Sequence, residues 1–582
     1  MKKYIPIILL TLIFTGCEDI LDKPDPSTIN PEIWDNEQAA TLFLNKLYDA
    51  NMPTFGGNAN RSDESPGGDE YMYGTLTTAS VGDYSLATYR KIRDINIGIH
   101  EALNGNMPEE GKNRILGQLY FMRAWRYWDL VDLYGGVPMV LKPLDPYNDD
   151  LDDPRNKTSE CIDIIVADLD NAIAMLPSSW SSGERGRITR GAAAALKGRV
   201  LLFWASPQFN PDNKNERWER AYEANKAAKD TLEKDGYALH PHFDEIFLDE
   251  GNAEFIFGRL YDFNADKVHG WDNSVRPVDA GLTGGTSNNP TWNLVKAFPM
   301  SNGLSITDPS SGYDSVYFWK NRDPRFYATI GYNGCKWEFT GLPANRVQWH
   351  YYYYQNIQGT LYQVPVETPR TTTTGFYCRK AVNPDISKEL CNQVGTDWPE
   401  IRMAEVLLSL AECANEVGKT QEAYNELIAI RDRAGITAGS NGLYGLKQGM
   451  DKNEMREAVM LERQIELAFE NKRSWDLRRR NWFDEKLNGT RRYGLKTILK
   501  PLPDTTYAYT AAWFLTVRDT INLDKDYDKY FTAELWVKDE ANTINFPQPL
   551  YNFFAIPPDM LDRSPAVEQT LLWGGAFDPL AE

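Results

Sequence analysis

The stretch "WPEIRMAEVLLSLAECANEVGKTQEAYNELIAIRDRAGI", residues 398–436, decides the fold. Met403, Val406, Leu407, Leu410, Ala414 and Val417 fall at i, i+3, i+4, i+7, i+11 and i+14, the spacing of one helix face. Gly418 ends that helix, Thr420 caps the next, and Ala423, Leu427, Ile430 and Ala434 carry a second stripe. The pattern is an antiparallel helix pair. Neither member can bury its apolar face alone, so the pair requires further helices to stack on.

Those helices are legible upstream. "PEIWDNEQAATLFLNKLYDAN" (31–51) opens with proline in a first turn, and "ILGQLYFMRAWRYWDLVDLYGGVPMV" (115–140) is apolar on most faces until Gly135-Gly136 stops it. "TRGAAAALKGRVLLFWA" (189–205) and "ERWERAYEANKAAKDTLEKDG" (216–236) form another pair. Two antiparallel helices in about 36 residues have the length of a tetratricopeptide-type hairpin. The expected fold is mostly α: tetratricopeptide-like hairpins supporting a loop-rich, irregular half with a few short strands. The helical scaffold is read over 31–235 and 398–482, the loop-rich, ligand-facing insertion over about 236–397, and a mixed C-terminal part over 483–582.

In the insertion, helical periodicity fades while glycine, asparagine, threonine and aromatics rise, as in "KVHGWDNSVRPVDAGLTGGTSNNPTW" and "VQWHYYYYQNIQGTLYQ"; residues 54–85 have a similar character. Loops this long in a compact body are usually functional. Rings, amides and hydroxyls together suit a polar ligand with an apolar face, such as a sugar. The candidate ligand-binding rings are Tyr71, Tyr73, Trp271, Trp349, Tyr351 and Tyr353, with at least half of them expected to pack loops onto the scaffold. Trp125, Trp128, Trp204, Trp398 and Trp475 are assigned to the core, and Trp292 to a structural role.

The chain carries 62 Lys+Arg against 82 Asp+Glu, a net charge of −20, and no basic cluster, which disfavours nucleic acid and anionic membrane surfaces. At the start, Lys2 and Lys3 precede an apolar run over residues 4–16, too short to span a bilayer but long enough for the core of a signal peptide. Thr15-Gly16 then abuts Cys17, which resembles the lipobox of bacterial lipoproteins. That resemblance implies removal of residues 1–16, a single body over 17–582 and a lipid anchor on Cys17, held stably because several acyl chains act together. Five cysteines remain and none form a CxxC pair. Cys161 and Cys413 read as core residues; Cys378 and Cys391 could form a disulfide, and the pairing of Cys335 stays open.

Chemical alternatives are weighed against blander ones. Glu462, Glu466 and Glu470 share a helix face, and a glycosidase needs two carboxylates, but Arg463, Arg473, Asp476 and Arg478 to Arg480 close by make a structural ion network the expectation. His240 and His242, with Asp244 and Glu245, have the chemistry for a metal but alternate as on a strand at the surface, so no metal site is assigned. The acidic run "DPYNDDLDDP" (145–154) could hold calcium loosely; its order is not that of an EF-hand, and a solvated loop is the expectation. No cofactor and no catalytic residue is assigned.

Along nearly its whole length the chain resembles the SusD/RagB family of outer-membrane nutrient-uptake lipoproteins. The resemblance rests on "CEDILDKP", on "MRAWRYWDLVDLYGGVPMV", on "NPTWNLVKAFPMSNG", on "RDPRFYATI", on "LERQIELAFENKRSWDLRR" and on "FAIPPDMLDRSPAVEQTLLW". It implies four tetratricopeptide-like hairpins, a non-catalytic role in binding a glycan at the cell surface, and a SusC-like TonB-dependent transporter barrel as partner. It also implies attachment to the outer membrane, facing outward. A RagB-like peptide binder and, further off, a lipid-anchored glycoside hydrolase are the alternatives.

Overall fold

The computed structural model describes residues 31–57, 59–81, 84, 86–145 and 147–582. The expectations for residues 1–16 and Cys17 fall outside those residues.

Pro31 opens a short 3-10 turn, Pro31–Asp35, rather than the helix itself. The helix Glu37–Asn51 begins one residue later, where the Asn36 side chain accepts from the amides of Gln38 and Ala39 and so satisfies two otherwise unpaired donors. Helices Leu86–Asn104, Glu109–Tyr134, Thr158–Met175, Arg190–Ala205 and Asn215–Lys234 then pack each on the next. The chain leaves the stack after Lys234 and rejoins it at Met403–Glu416, which lies against the two preceding helices and pairs with Thr420–Arg433 and Lys452–Glu466. Among the described residues no helix is long and apolar enough to cross a membrane.

Two details of the 398–436 reading change. Residues Trp398–Arg402 form a strand, β6, antiparallel to β1 at Phe255–Arg259. Thr420 is the first helical residue rather than the cap; Lys419 precedes it, and the Thr420 hydroxyl turns back to Asn415. The Met403–Glu416 helix is also buried on every side, not along one stripe. Its acids are tolerated there because each has cationic partners: Glu405 with Arg199, Glu412 with Arg479, Glu416 with Arg456.

Gly135 ends the long Glu109–Tyr134 helix at φ +72°, a conformation costly for any other residue. At Gly136 a Cβ would sit 1.9 Å from the Asn156 carbonyl oxygen, so the pair of glycines is required by close backbone approach. Arg123 explains its own motif: buried in that helix, it forms two 2.8 Å bonds to Asp168 on the next helix.

The strands of the other half are short. β2 (Ile330–Tyr332) pairs with β5 (Phe376–Cys378), and a four-stranded sheet runs β4-β3-β7-β8. Its members are β3 (Tyr352–Ile357), β4 (Thr360–Pro365), β7 (Tyr493–Leu499) and β8 (Phe531–Val537). The β3–β4 hairpin and the β7–β8 pair are antiparallel, and β3 meets β7 in parallel at Tyr352 and Ile498. Two large cores result, one among the helices and one, dominated by rings, beneath the loops and this sheet. Trp125, Trp128, Trp204 and Trp398 are buried, Trp475 packs on the helical core, and Trp292 stacks on Phe376 in the second core.

The three glutamates of the 452–470 region join the two halves. Glu462 pairs with Arg325 and Arg431, Glu466 with Arg325, Arg402 and Arg433, and Glu470 with Arg402 and Lys380. Glu254 completes the cluster through Arg402 and Arg433. Burial alone would raise the three carboxyls, but the surrounding guanidinium groups outweigh it and hold all three below the ordinary carboxylate range. The network is as expected in kind but not in partners. Arg463 instead holds Asp476 and Arg473 holds Asp63, while the glutamates are met by side chains distant in sequence.

Cys161, Cys335, Cys378, Cys391 and Cys413 are buried and free, so the disulfide between Cys378 and Cys391 is not formed. Cys378 sits on β5 with its thiol at the Lys380 carbonyl, whereas Cys391 lies beyond a separate 3-10 turn with its thiol at Asn273. His240 also departs from expectation. It is buried in irregular backbone rather than on a strand, its Nδ1 2.8 Å from the His242 carbonyl and its Nε2 3.1 Å from Asp249.

Candidate functional site

Four loop segments converge on a cleft of about 650 Å³ in the ring-rich half. One is the 342–349 stretch, which the isolated bridge between Lys336 and Val347 folds back on itself. The others are Val278-Asp279, residues 366–368 beyond β4, and Arg518-Asp519, at the 3-10 turn that follows the Tyr507–Val517 helix. The volume lies in the range of small-ligand sites.

Trp349 lies in one wall. Its ring packs edge-on against Tyr351 and Phe514, and its indole N–H donates to Asp519 at 2.8 Å. The ring is 7% exposed, so the cleft meets part of it rather than an open face. The Arg518 guanidinium lies 5.7 Å from the ring centroid. On the other side a hydrogen-bond chain runs from the exposed Asp279 through the buried Arg346, Gln348 and Glu367. Arg346 donates to both oxygens of Asp279 at 2.7 and 2.9 Å and to Gln348, and Gln348 donates to Glu367 at 2.8 Å. Tyr377 and Thr371 complete the bonds to the second Glu367 oxygen. Burial pushes the Glu367 carboxyl up to about 7 despite those donors. Such a chain fixes side-chain directions before a ligand arrives.

The six candidate rings are not brought together. Trp349 lines the cleft, with Tyr351 directly behind it, 1% exposed. Tyr353, next on β3 but one, packs half-buried against the second core. Tyr71 stands far off in the helical core against Phe483 and Phe546, and Tyr73 donates its hydroxyl to Asp539. Trp271 is enclosed beside Phe55, its indole N–H donating to the Lys380 carbonyl. Trp271 is as buried as Trp349, each 7% exposed, and what separates them is that only Trp349 lines the cleft.

Sequence reasoning missed the polar half of the cleft: Asp279, Arg346, Gln348, Glu367, Arg518 and Asp519. They come from four segments with no shared local pattern, and only their proximity to Trp349 marks them. The glutamates of the ion network are excluded as a site by burial, being at most 2% exposed in their side chains. A larger cavity of about 780 Å³ lies around His242, Phe243, Tyr327, Trp337 and Arg379, with the Arg379 guanidinium 5.2 Å from the Trp337 ring centroid.

The comparisons follow the fold. A family model described as "SusD family" matches residues 250–573, and one described as "Starch-binding associating with outer membrane" matches residues 39–202. Two curated relatives from Formosa agariphila, SusD-like proteins P2 and P38, are 26% and 23% identical, the alignments covering 82% and 83% of this chain and 91% and 92% of theirs. A SusD-like protein and a SusD-like carbohydrate-binding protein, both from Bacteroides fragilis, have solved structures that superpose with TM-scores of 0.69 and 0.68 at 23% and 24% identity. They cover 93% and 92% of this chain, and 98% and 99% of their own. A laminarin-binding SusD-like protein superposes with a TM-score of 0.54 at 20% identity, over 92% of this chain and 99% of its own. With more than half of the sequence inside the first match, the chain belongs to the SusD family.

Proposed function

We propose that this protein is an outer-membrane lipoprotein, facing outward and anchored at Cys17, that captures oligosaccharide in the Trp349 cleft and delivers it to a SusC-like TonB-dependent transporter. One observation carries the binding half of this reading. A partly exposed indole, a cation and a prearranged chain of amide, carboxyl and guanidinium groups surround one cleft of about 650 Å³. Sugar rings present alternating apolar C–H faces and hydroxyls, and this wall offers a partner to each. Family membership and the carbohydrate-binding and laminarin-binding neighbours support the same class of ligand. Capture without cleavage is the role in this reading, in keeping with the carbohydrate-binding neighbours.

A panel of plant and host glycans, retained on gels and assayed for new reducing ends, tests capture. Binding without product supports the reading, and release of reducing ends sinks it. Trp349→Ala weakens binding about tenfold if the indole contributes like an aromatic platform of roughly 1–3 kcal/mol. Because that ring also packs Phe514, the companion variant is Ala344→Trp, which fills the cleft mouth from an exposed position. Loss of binding with unchanged melting in Ala344→Trp supports the cleft; undiminished binding places the site elsewhere. Delivery is tested by pulling down the tagged protein in gentle detergent from nutrient-induced cells. Repeated failure to recover a large β-barrel defeats that half.

A further inference from the structure

Charge is distributed unevenly among the side chains of the Trp349 cleft. Arg346 is neutralised by Asp279 through a two-pronged contact and is further tied to Gln348 and to the Trp337 carbonyl. Glu367 is enclosed by three hydrogen-bond donors. Asp519 gives one carboxylate oxygen to the Trp349 indole.

Arg518 is different. Among the described residues it enters no ion pair; its charged neighbour in the chain, Asp519, turns to the indole instead. Beside it lie the Trp349 ring at 5.7 Å and the hydroxyl of Tyr351, to which it hydrogen-bonds, with the Asp519 carboxylate next along the cleft. Its Nε is enclosed and has no hydrogen-bond partner. Arg518 is half-buried at the cleft wall, and a guanidinium is matched best by a planar or tetrahedral oxyanion that takes two of its N–H donors at once.

We infer that the ligand is an acidic glycan, whose sugar-borne carboxylate or sulfate docks on the Arg518 guanidinium while the pyranose ring lies against Trp349. This rests on the glycan reading of the cleft and narrows it to a substrate class. The same chemistry comes from two sources, a uronic acid or a sulfate ester. A neutral sugar would leave Arg518 unpaired in a site it shares with Trp349.

The experiment uses the full chain and four soluble probes of matched length: oligogalacturonate, a sulfated galactan oligosaccharide, a neutral β-glucan and a starch oligosaccharide. Titration calorimetry at low salt is expected to show binding of at least one acidic probe, ten times or more tighter than either neutral probe, and weakening as salt rises. Arg518→Gln removes the charge and the forked donor set while leaving a shorter polar amide; it should cut the acidic affinity at least tenfold with melting unchanged. The uronate and sulfate arms identify which oxyanion is meant. Neutral probes that bind as well as acidic ones, or acidic binding indifferent to Arg518→Gln, overturn the inference. If in either case Ala344→Trp still abolishes binding, the glycan cleft stands and only its charge preference falls. If no probe binds the wild-type chain, or if Ala344→Trp changes nothing, the cleft reading fails and this inference with it.

Discussion

The helical half and the ring-rich half bury themselves in different ways. Among the helices, alanine, leucine, isoleucine and valine recur every third or fourth residue, and each helix is covered by those before and after it in the stack. Beneath the loops about half of the buried apolar side chains are aromatic, and they come from segments as distant as Trp271 and Phe531. Aliphatic stripes need regular backbone to line up. Large rings fill space between irregular backbones, since each buries some 150–250 Å² whatever the local conformation. The difference assigns roles: the helices form a repetitive support, and the ring-packed loops are free to shape a cleft without regular structure at its edge.

A buried ion network also joins the two halves. Arg402 stands at the end of β6 and contacts Glu254, Glu466 and Glu470, all nearly inaccessible. Arg402→Met should leave three buried carboxylates short of their shared cation and cost about 3–5 kcal/mol, the largest effect expected here. Denaturant unfolding measures it. A loss below about 1 kcal/mol would mean that the network does not hold the halves together, on the scale of surface ion pairs.

Within the helical half, Leu408→Ala tests the aliphatic packing. Leu408 is fully buried in the Met403–Glu416 helix, and truncation should cost about 2–5 kcal/mol through lost transfer energy and the cavity left behind. A cost near zero would show that the stack collapses around the gap and is less tightly packed than its contacts indicate.

These two sites also divide what could be read from the chain. Leu410 and its partners announce a helix because their neighbours in space are their neighbours at i+3 and i+4. The 398–436 pair, the Gly135 stop and the acid-base character of the 462–480 region were therefore visible. The partners of Glu466 were not, since Arg325, Arg402 and Arg433 come from three separate elements. The cleft shows the same limit: Trp349 stands out in "VQWHYYYY", whereas Arg518 and Asp279 carry no signal until the chain is folded. Tyr71 and Trp271 resembled loop rings in sequence and are core rings in space: Tyr71 packs into the helical core, and Trp271 into the ring-rich core where aromatics supply the packing itself.

A smaller effect separates the halves by pH. Glu64, in the loop segment that meets Arg473, is pushed up to about 8 by burial. A carboxyl raised in the folded state contributes stability that is full below its unfolded value near 4.5 and is lost as pH rises through about 8. The network glutamates have the opposite sign: their depressed values contribute above the unfolded range and are lost as pH falls through the folded values. Glu64→Gln should therefore flatten the decline in melting temperature between pH 5 and 8 while leaving the acid limb intact. An unchanged alkaline slope would show that Glu64 is already ionised in the folded chain.

The smallest effect expected is at the acidic segment 145–153, where the helical half has its greatest concentration of exposed carboxylates. Asp145 spends its oxygens on the Tyr147 amide and the Asn148 side chain, and Asp149 bonds Lys142 and the Asp145 amide. Asp152 accepts from the Ala566 amide. These acceptors are thus turned to local donors in different directions. Calcium needs six to eight oxygens converging at 2.3–2.6 Å, so a bound ion would first have to break these bonds. We therefore expect millimolar calcium, or its removal by a chelator, to move the melting temperature by about 1 °C or less, and Asp149→Asn to leave it within the same margin. A calcium-dependent rise of several degrees that Asp149→Asn removes would show that the loop reorganises around the ion. It would also give the helical support a ligand of its own.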